Sequence, residues 1–322
     1  MKAIQSQAPG GSETMQYVDV PTPAPAAGEV LVRQAAAGIN FIDVYQRQGI
    51  YSVPFPLIPG NEGAGVVEAV GEGVTELAVG DRVAYTGTPG AYAEYIKLSA
   101  QRAVKVPDGM ELEQAAAIML QGMTAHYLVN DSYALKPGDV CLIHAGAGGV
   151  GLLLTQMAKA KGAKVVSTVG TEAKAELARQ AGADEVILYT QEDFVEAVKQ
   201  RVGEKKLNVI YDSVGKDTFV KGLELLKPRG LGVIYGQSSG VVPPFDLQLL
   251  NQHGSLFVQR PSLFVHIATR EELVARATDV MTQVSSGKLN VRIGASYPLA
   301  EAKQAHDDLE GRKTTGKLLL IP

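Results

Sequence analysis

The chain has 322 residues, of which 46% are hydrophobic and 20% charged, and its formal net charge is −4 at pH 7. This length predicts about two domains with a substantial apolar core. The mildly acidic balance lacks the clustered basic face that nucleic-acid binding requires, so we expect no nucleic-acid partner.

Cysteine usage and the distribution of apolar residues bear on the cellular setting. The single cysteine, Cys141, excludes an internal disulfide and a multi-cysteine metal site, which fits a reducing compartment. The first ten residues lack the apolar segment of a secretory signal, and no apolar run approaches the roughly 20 residues of a membrane span. We therefore expect a soluble, cytoplasmic protein.

Short β-like segments separated by Gly and Pro occupy the first third of the chain. The predicted strands are Lys2–Gln5, Gln16–Val20, Glu29–Ala35, Gly63–Val70, Arg82–Tyr85, Ala91–Leu98 and Ala103–Val106. Many short strands at this spacing are typical of a compact, mostly β domain, either a barrel or a sandwich. The segment Glu111–Val129 follows; it is long, alanine-rich and apolar, which favours one connecting helix.

Strands and helices are predicted to alternate from Lys136 onwards. The predicted strands are 140–144, 164–169, 185–188, 207–212 and 230–235, and the predicted helices are 149–161, 171–181, 191–202 and 217–226. Such a run of βα units indicates an α/β fold with a doubly wound, mostly parallel sheet.

The regular alternation ends after Gly236. The sequence predicts a loop over 241–252, a strand at Ser255–Gln259, helical structure over 262–287 and a closing strand over 316–321. A terminal strand must pair with another strand, and we expect its partner in the first domain. That domain would then be discontinuous in sequence.

A glycine cluster lies between the predicted strand 140–143 and the helical stretch 152–161. Its six residues are Gly146, Ala147, Gly148, Gly149, Val150 and Gly151. A strand, then G-x-G-x-x-G, then a helix is the dinucleotide-binding fingerprint in its required context. Free N–H groups at the helix start and the helix dipole would hold the phosphates.

The spacing of the three fingerprint glycines has a physical basis. Gly146 permits a tight turn, Gly148 lets a pyrophosphate approach the backbone, and Gly151 lets the helix pack close to the strand. The alternative is a plain strand-to-helix turn. Two other G-x-G pairs, at 63–65 and 71–73, neither complete the pattern nor precede a helical stretch.

The second strand of the alternating region bears on which dinucleotide binds. NAD enzymes place an acidic residue about 20 residues after the glycines, but the segment Val166–Gly170, which includes Thr168, has none. If Thr171 is the N-cap, Lys174 is the third helical residue, where a capping box favours Glu or Gln and the dipole disfavours a cation. A 2′-phosphate would be its partner, so we predict NADPH; the alternative is a solvated lysine.

Several further motifs together carry a family resemblance. They are Ala36-Ala-Gly-Ile-Asn-Phe-Ile-Asp-Val-Tyr45, Ile58-Pro-Gly-Asn-Glu-Gly-Ala-Gly65, Gln121-Gly-Met-Thr-Ala125, 145–151, Arg260-Pro-Ser262 and Thr315-Gly-Lys317. Through these motifs the chain resembles the zinc-independent quinone oxidoreductases, the zeta-crystallin-like group of medium-chain dehydrogenases/reductases. The resemblance implies a homodimer of subunits with two domains. Residues 1–120 and 261–322 would form a mostly β, GroES-like catalytic domain, and residues 121–260 a Rossmann domain that binds NADPH.

The chain departs from the zinc-dependent members of this superfamily at their metal ligands, which are Cys, His and a further Cys or carboxylate. The corresponding stretches read Gly38-Ile39-Asn40 and Gly60-Asn61-Glu62, and the four structural cysteines are absent. The five histidines are scattered without metal-like spacing. We therefore expect no metal site.

The resemblance implies an active site between the two domains. On the catalytic-domain side it points to Asn40 as a hydrogen-bond partner of the nicotinamide ribose or of the substrate carbonyl. Tyr45 and Tyr51 would stack on a flat acceptor or donate a hydrogen bond to it; ordinary burial is the alternative. Asp43 would cap a helix or hold the local turn.

On the cofactor side the resemblance implies residues at several strand ends. Thr124 would lie near the nicotinamide and phosphates, Lys174 and Tyr189 near the 2′-phosphate and adenine, and Arg312 near a phosphate. The remaining candidates follow later strands: Ser213 and Val214; Gly236, Gln237 and Ser238; and Phe257 and Val258, which would pack near the nicotinamide.

These expectations together describe a reductase that transfers a hydride from NADPH to a quinone, without zinc. The alternative on the same scaffold is reduction of the C=C bond of an α,β-unsaturated aldehyde or ketone. A non-enzymatic alternative is an NADPH-loaded crystallin or RNA-binding protein, although the acidic balance argues against RNA.

Overall fold

The computed structural model describes residues 1–322. Its strands are β1 (Lys2–Ser6), β2 (Met15–Asp19), β3 (Glu29–Ile39), β4 (Glu62–Val70), β5 (Arg82–Thr86), β6 (Tyr95–Ser99), β7 (Ala103–Lys105), β8 (Val140–His144), β9 (Lys164–Val169), β10 (Glu185–Leu188), β11 (Leu207–Asp212), β12 (Leu226–Ile234), β13 (Phe257–Gln259), β14 (Ile293–Pro298) and β15 (Lys317–Ile321).

The α-helices are α1 (Phe41–Arg47), α2 (Leu112–Ile118), α3 (Gln121–Tyr127), α4 (Gly149–Ala160), α5 (Glu172–Gln180), α6 (Phe194–Val202), α7 (Phe219–Gly222), α8 (Gln248–Gln252), α9 (Leu263–His266), α10 (Arg270–Ser285) and α11 (Ala302–Glu310). None of these helices is both long and apolar enough to cross a membrane.

Two compact units make up the chain. One consists of Met1–Met123 together with Ile267–Pro322, and the other of Thr124–His266. The first unit contains a seven-stranded sheet in the order β14-β15-β3-β4-β5-β7, with β6 also paired to β3, and a separate pair β1-β2. The terminal strand β15 pairs antiparallel with β3, which confirms that the chain end returns to the first unit.

The second unit is built on a six-stranded parallel sheet in the order β10-β9-β8-β11-β12-β13. In order of occurrence this is 3-2-1-4-5-6, the arrangement of a Rossmann sheet. Every residue of the central strand β11 is buried, as expected when helices cover both faces of a parallel sheet. The α/β prediction is therefore confirmed.

The predicted single helix over 111–129 is wrong. Helix α2 ends at Ile118, α3 begins at Gln121, and a π-helical turn, Leu128–Ser132, follows. At the break the backbone N–H of Leu120 donates to Glu62 Oε1 at 2.6 Å. The acceptor of this N–H lies 58 positions away in the sequence. A local sequence pattern cannot predict such a partner.

Two other predicted elements differ from the structure. The helix expected over 217–226 is only the short α7 followed by a 3₁₀ turn, Leu223–Leu225, because strand β12 already begins at Leu226. The loop expected over 241–252 contains α8 at its end. The strand β14 and the helix α11 lie in the stretch between the predicted helix and the closing strand, where no element was assigned.

Candidate functional site

The glycine cluster forms the turn that leads from β8 into α4. Gly146 donates its backbone N–H to Thr168 O at 3.1 Å, which ties the turn to the end of the neighbouring β9. Gly148 donates to Ala145 O at 2.9 Å and is the N-cap of α4, with no side-chain cap. The first N–H groups of this helix therefore have no capping side chain, which suits an anionic ligand.

The backbone around this turn is too close-packed for side chains. A Cβ on Gly146 would overlap Ser167 Oγ, and one on Gly151 would lie 2.8 Å from Gly146 Cα. A Cβ on Gly148 would contact only Ala145 O, at 3.2 Å. The glycine is therefore not needed for packing within the turn, and it leaves the outer side of the turn open. The turn therefore fits the pyrophosphate of a dinucleotide.

Thr168, predicted near the cofactor, faces inward. Its hydroxyl lies 2.9 Å from His144 Nδ1, and its side chain is buried. Burial lowers the pKa of His144, so this histidine is a neutral core group. What Thr168 presents to the turn is its backbone carbonyl, which accepts from Gly146.

Lys174 and Tyr189 lie at the carboxyl ends of β9 and β10. Thr171 is the N-cap of α5 and its side chain accepts from the backbone N–H of Lys174 at 3.3 Å, which confirms Lys174 as the third helical residue. The ring of Tyr189 is 43% exposed, and its hydroxyl lies 2.7 Å from where a Cβ on Gly170 would be. Residues 166–171, at the end of β9, include no Asp or Glu. The next acidic residue, Glu172 in the first turn of α5, is paired with Arg179.

The candidates after β11 and β12 lie together. Ser238 donates its N–H to Ser213 O at 3.0 Å, and a Cβ on Gly236 would lie 2.8 Å from the same oxygen. Sequence reasoning missed the buried Asp212, whose carboxylate accepts from Val214 N at 2.7 Å and from Gly215 N at 2.9 Å. Its position at a strand end was the available signal. Gln237, between these residues, is half-buried.

The remaining cofactor candidates are spread over other elements. Thr124 is buried in α3. Phe257 and Val258 lie on the edge strand β13, where they are 60% and 38% exposed. Arg312 lies in the loop between α11 and β15 with a left-handed φ of 56°.

In the first unit, Asn40 lies between β3 and α1 and is only 4% exposed. Its Oδ1 accepts from Lys317 Nζ at 2.9 Å and from Gln121 Nε2 at 3.0 Å. Its Nδ2 donates to Glu62 Oε2 at 2.8 Å and to Gly38 O at 3.3 Å. Sequence reasoning did not select Lys317, Glu62 or Gln121 as site residues, although each lies in one of the motifs quoted above.

Asp43 stabilises the start of α1, as predicted. Its Oδ2 accepts from the Asn40 N–H at 2.9 Å and from Tyr92 Oη at 3.0 Å, and its Oδ1 accepts from Asn61 Nδ2 at 2.7 Å. Complete burial raises the pKa of Asp43 to about 6, against the opposing effect of these three hydrogen bonds.

The two candidate tyrosines form a small aromatic cluster with Phe41. The rings of Tyr45 and Tyr51 contact edge to face at 5.3 Å, and those of Phe41 and Tyr45 lie 6.0 Å apart. Tyr45 is buried and Tyr51 is half-buried. The backbone N–H of Tyr51 donates to Tyr45 O at 3.1 Å, so the segment after α1 folds back onto the helix.

The chain contains no group of three His, Cys, Asp or Glu side chains that could hold a metal ion. Asn40 and Asn61, at two of the positions of zinc ligands in the resemblance, both hydrogen-bond to Asp43. The cationic group next to Asn40 is the side-chain amine of Lys317, whose Nζ lies 2.9 Å from Asn40 Oδ1.

Two family profiles match the chain. The alcohol dehydrogenase GroES-like domain matches residues 26–108, and the family described as zinc-binding dehydrogenase matches residues 149–278. The first match lies in the unit with the mostly antiparallel sheet, and most of the second lies in the unit with the parallel sheet.

Similar proteins span the full length of the chain. A quinone oxidoreductase of Pseudomonas aeruginosa is 46% identical over 323 residues, covering 100% of this chain and 99% of its own. A 2-haloacrylate reductase of a Burkholderia species is 40% identical, covering 97% and 96%. The crystal structure of an Escherichia coli quinone oxidoreductase complexed with NADPH superimposes with a TM-score of 0.97, at 45% identity and full coverage of both chains.

Proposed function

Because the chain belongs to the quinone oxidoreductase family of the medium-chain dehydrogenases/reductases, we propose that it reduces quinones with NADPH. The observation that carries this proposal is the uncapped glycine turn before α4. It lies in a chain that matches an NADPH-bound quinone oxidoreductase over its whole length. The cofactor is NADPH.

When bound, NADPH would supply a hydride, and the protein would supply position and hydrogen bonds. A quinone that takes up this hydride and one proton becomes its hydroquinone, and NADP⁺ is left. The glycine turn and the first turn of α4 would hold the pyrophosphate. Lys174 and Tyr189 would hold the 2′-phosphate and the adenine, supported by the absence of an acid at the end of β9.

The acceptor would lie against the first unit near Asn40, Tyr45 and Tyr51. The aromatic cluster supports this, since aromatic faces suit a flat, apolar ring. We propose that the reaction needs no zinc: the ligand positions 40 and 61 hold asparagine, a poor zinc ligand compared with Cys or His.

A second candidate is reduction of the C=C bond of an α,β-unsaturated carbonyl compound. The observation that favours it is the 40% identity to a 2-haloacrylate reductase, whose substrate name denotes an unsaturated carboxylate. Both reactions move a hydride to carbon and negative charge to a carbonyl oxygen, so the same residues would serve either.

We further propose a cytoplasmic homodimer that acts on small molecules rather than nucleic acid. Strand β13 forms one edge of the parallel sheet, and an open strand edge is a surface that a second copy would cover.

The direct test is a substrate panel with both nicotinamide cofactors. NADPH oxidation should accelerate with 1,4-benzoquinone or 9,10-phenanthrenequinone, and NADH should be the poorer reductant. If neither quinones nor small enones accelerate it, the chain is not a reductase of this kind. Preference for enones would favour the second candidate.

A further inference from the structure

A buried ion pair lies behind Asn40. Lys317 of β15 and Glu62 of β4 are 1% and 0% exposed, and their side chains are in direct contact. Lys317 Nζ also faces Ile39 O at 3.2 Å and Asn40 Oδ1 at 2.9 Å. Three oxygen acceptors around one nitrogen match the three N–H donors of an ammonium, and the contact with Glu62 opposes the lowering of the Lys317 pKa by burial.

Glu62 receives only donors. Besides Lys317, its carboxylate accepts from Asn40 Nδ2 at 2.8 Å and from Leu120 N at 2.6 Å. A group that only accepts is an ionised carboxylate. The pair packs directly against Gly38, where a Cβ would lie 2.7 Å from Lys317 Cε. This close approach explains why the strand carries glycine there.

These two charges determine the orientation of the Asn40 amide. An ammonium can only donate, so it must face Oδ1; a carboxylate can only accept, so it must face Nδ2. The second lone pair of Oδ1 is taken by Gln121 Nε2. Flipping the amide would set its N–H groups against the ammonium of Lys317 and its oxygen against the carboxylate of Glu62.

The weakest of the four side-chain contacts of Asn40 is the hydrogen bond from Nδ2 to Gly38 O, at 3.3 Å, just beyond the usual N–H···O range. Oδ1 already accepts two shorter hydrogen bonds, from Lys317 and Gln121. A bound molecule would therefore share or take over the second Nδ2 hydrogen, and Asn40 would serve it as an N–H donor and not as an acceptor. The contact with Lys317 also draws electrons toward Oδ1, which strengthens the N–H donor.

We propose that Lys317 and Glu62 are positioning residues that hold Asn40 as an N–H donor to the carbonyl oxygen of the acceptor. This inference rests on the proposed function. When hydride adds to the acceptor carbon, the electron pair of the breaking π bond moves onto that oxygen. Water then supplies its proton, and for a quinone the reduced carbon afterwards loses a proton while the second oxygen gains one, which gives the hydroquinone. A donor aimed at this oxygen stabilises the charge as it develops.

The first test is a double-mutant cycle. Asn40→Ala should lower kcat for quinone about 10- to 100-fold, somewhat less than the roughly 100- to 1000-fold loss typical when an oxyanion-hole donor is removed. Lys317→Met should lower it similarly, and adding it to Asn40→Ala should cost little more, because Lys317 acts through Asn40. Losses that multiply in the double variant would overturn the proposal.

The second test relocates the negative charge and so guards against misfolding. Asn40→Asp combined with Glu62→Gln keeps one negative charge beside Lys317 and an acceptor for Gln121 and for Leu120 N. It removes the N–H donor at position 40. Circular dichroism and NADPH fluorescence should show a folded protein with wild-type NADPH affinity, yet kcat should remain about 10-fold or more reduced. Wild-type kcat in this variant would contradict the proposal.

A matched control is Glu310→Gln. It disrupts the ion pair between the buried Arg47 and the half-buried Glu310 in the same unit, and the hydrogen bonds of Arg47 go to Gly10 and Glu310, not to Asn40 or Glu62. Its kcat should stay within about twofold of wild type; a loss as large as that of Lys317→Met would mean that any buried ion pair in this unit affects turnover.

A binding measurement separates this inference from the proposed function. Duroquinone affinity in the presence of NADP⁺ is followed by tyrosine fluorescence, with no turnover involved. The variant with Asn40→Asp and Glu62→Gln should bind duroquinone about 10-fold more weakly than wild type, because a carboxylate replaces the N–H donor at position 40. Equal affinities would overturn the inference. If the variant binds duroquinone more weakly but the wild-type protein reduces neither quinones nor enones, the proposed function alone is refuted.

Discussion

Tyr92 and His306, 214 positions apart, meet inside the first unit with Tyr92 Oη 3.0 Å from His306 Nε2 and their rings edge to face. Tyr92 donates its hydroxyl hydrogen to Asp43, so while Asp43 is ionised His306 must donate from Nε2. Burial lowers the pKa of His306 to about 3, so it is neutral at pH 7. Its Nδ1 has no hydrogen-bond partner.

Asp43, which accepts the hydrogen bond from Tyr92, should make the stability of the protein depend on pH. Its pKa rises from 3.8 to about 6 on burial. The folded state therefore holds the proton more tightly than the unfolded state. The resulting stabilisation is complete below pH 3.8 and lost as the pH rises through about 6. At roughly 1.4 kcal/mol per pH unit, it amounts to about 3 kcal/mol.

Urea unfolding of wild type and Asp43→Asn between pH 4 and 7 checks this expectation. The unfolding free energy of wild type minus that of the variant should fall by about 2.4 kcal/mol between pH 4 and pH 7. A difference that does not change with pH would mean that the carboxyl of Asp43 does not titrate in this interval.

Lys174→Ala should raise the KM for NADPH about 10- to 100-fold and leave the KM for NADH within about twofold. The reason is that only NADPH carries the 2′-phosphate, and a hydrogen bond to a charged group contributes roughly 1.5–3 kcal/mol. Steady-state kinetics with both cofactors measure this. The exposed Lys221→Ala is the control and should change neither value. Equal effects on both cofactors would remove the assignment of Lys174.

Gly146→Ala should destabilise the protein by about 1–3 kcal/mol, because its new methyl group would overlap Ser167 Oγ. Ser167→Ala removes that oxygen, which is buried without a hydrogen-bond partner, and should recover part of the loss in the double variant. Thermal or urea unfolding of the three variants tests this. No recovery would place the strain elsewhere in the turn.

Gly148→Ala should behave in the opposite way. Its new methyl group would meet only Ala145 O, at 3.2 Å, so the unfolding free energy should change by less than about 1 kcal/mol. The methyl group would instead occupy the approach to the pyrophosphate, so NADPH affinity, measured by fluorescence titration, should fall at least about 10-fold. Wild-type affinity would place the pyrophosphate away from this glycine.

Dialysis against EDTA should leave quinone-dependent NADPH oxidation unchanged, since the zinc-ligand positions hold Asn40 and Asn61. Activity is compared before and after dialysis, with a zinc-dependent alcohol dehydrogenase treated in parallel. Loss of activity that added Zn²⁺ restores would disprove zinc independence.

The sequence by itself determined the features that depend on neighbours along the chain. The βα alternation predicted the parallel sheet because each strand and helix has its own hydrophobic period. The glycine turn was recognisable because its constraints lie within six residues, and Thr171 was recognisable as an N-cap because the cap and its partner are three residues apart.

Only the tertiary structure decided how the polar groups around Asn40 are paired. Lys317 and Glu62 are 255 positions apart and meet because β15 pairs with β3, which also pairs with β4. The same carboxylate ends the helix predicted over 111–129 by taking the Leu120 N–H. No local sequence pattern predicts either contact, because the partners of a buried charged group are the groups that the fold brings close to it.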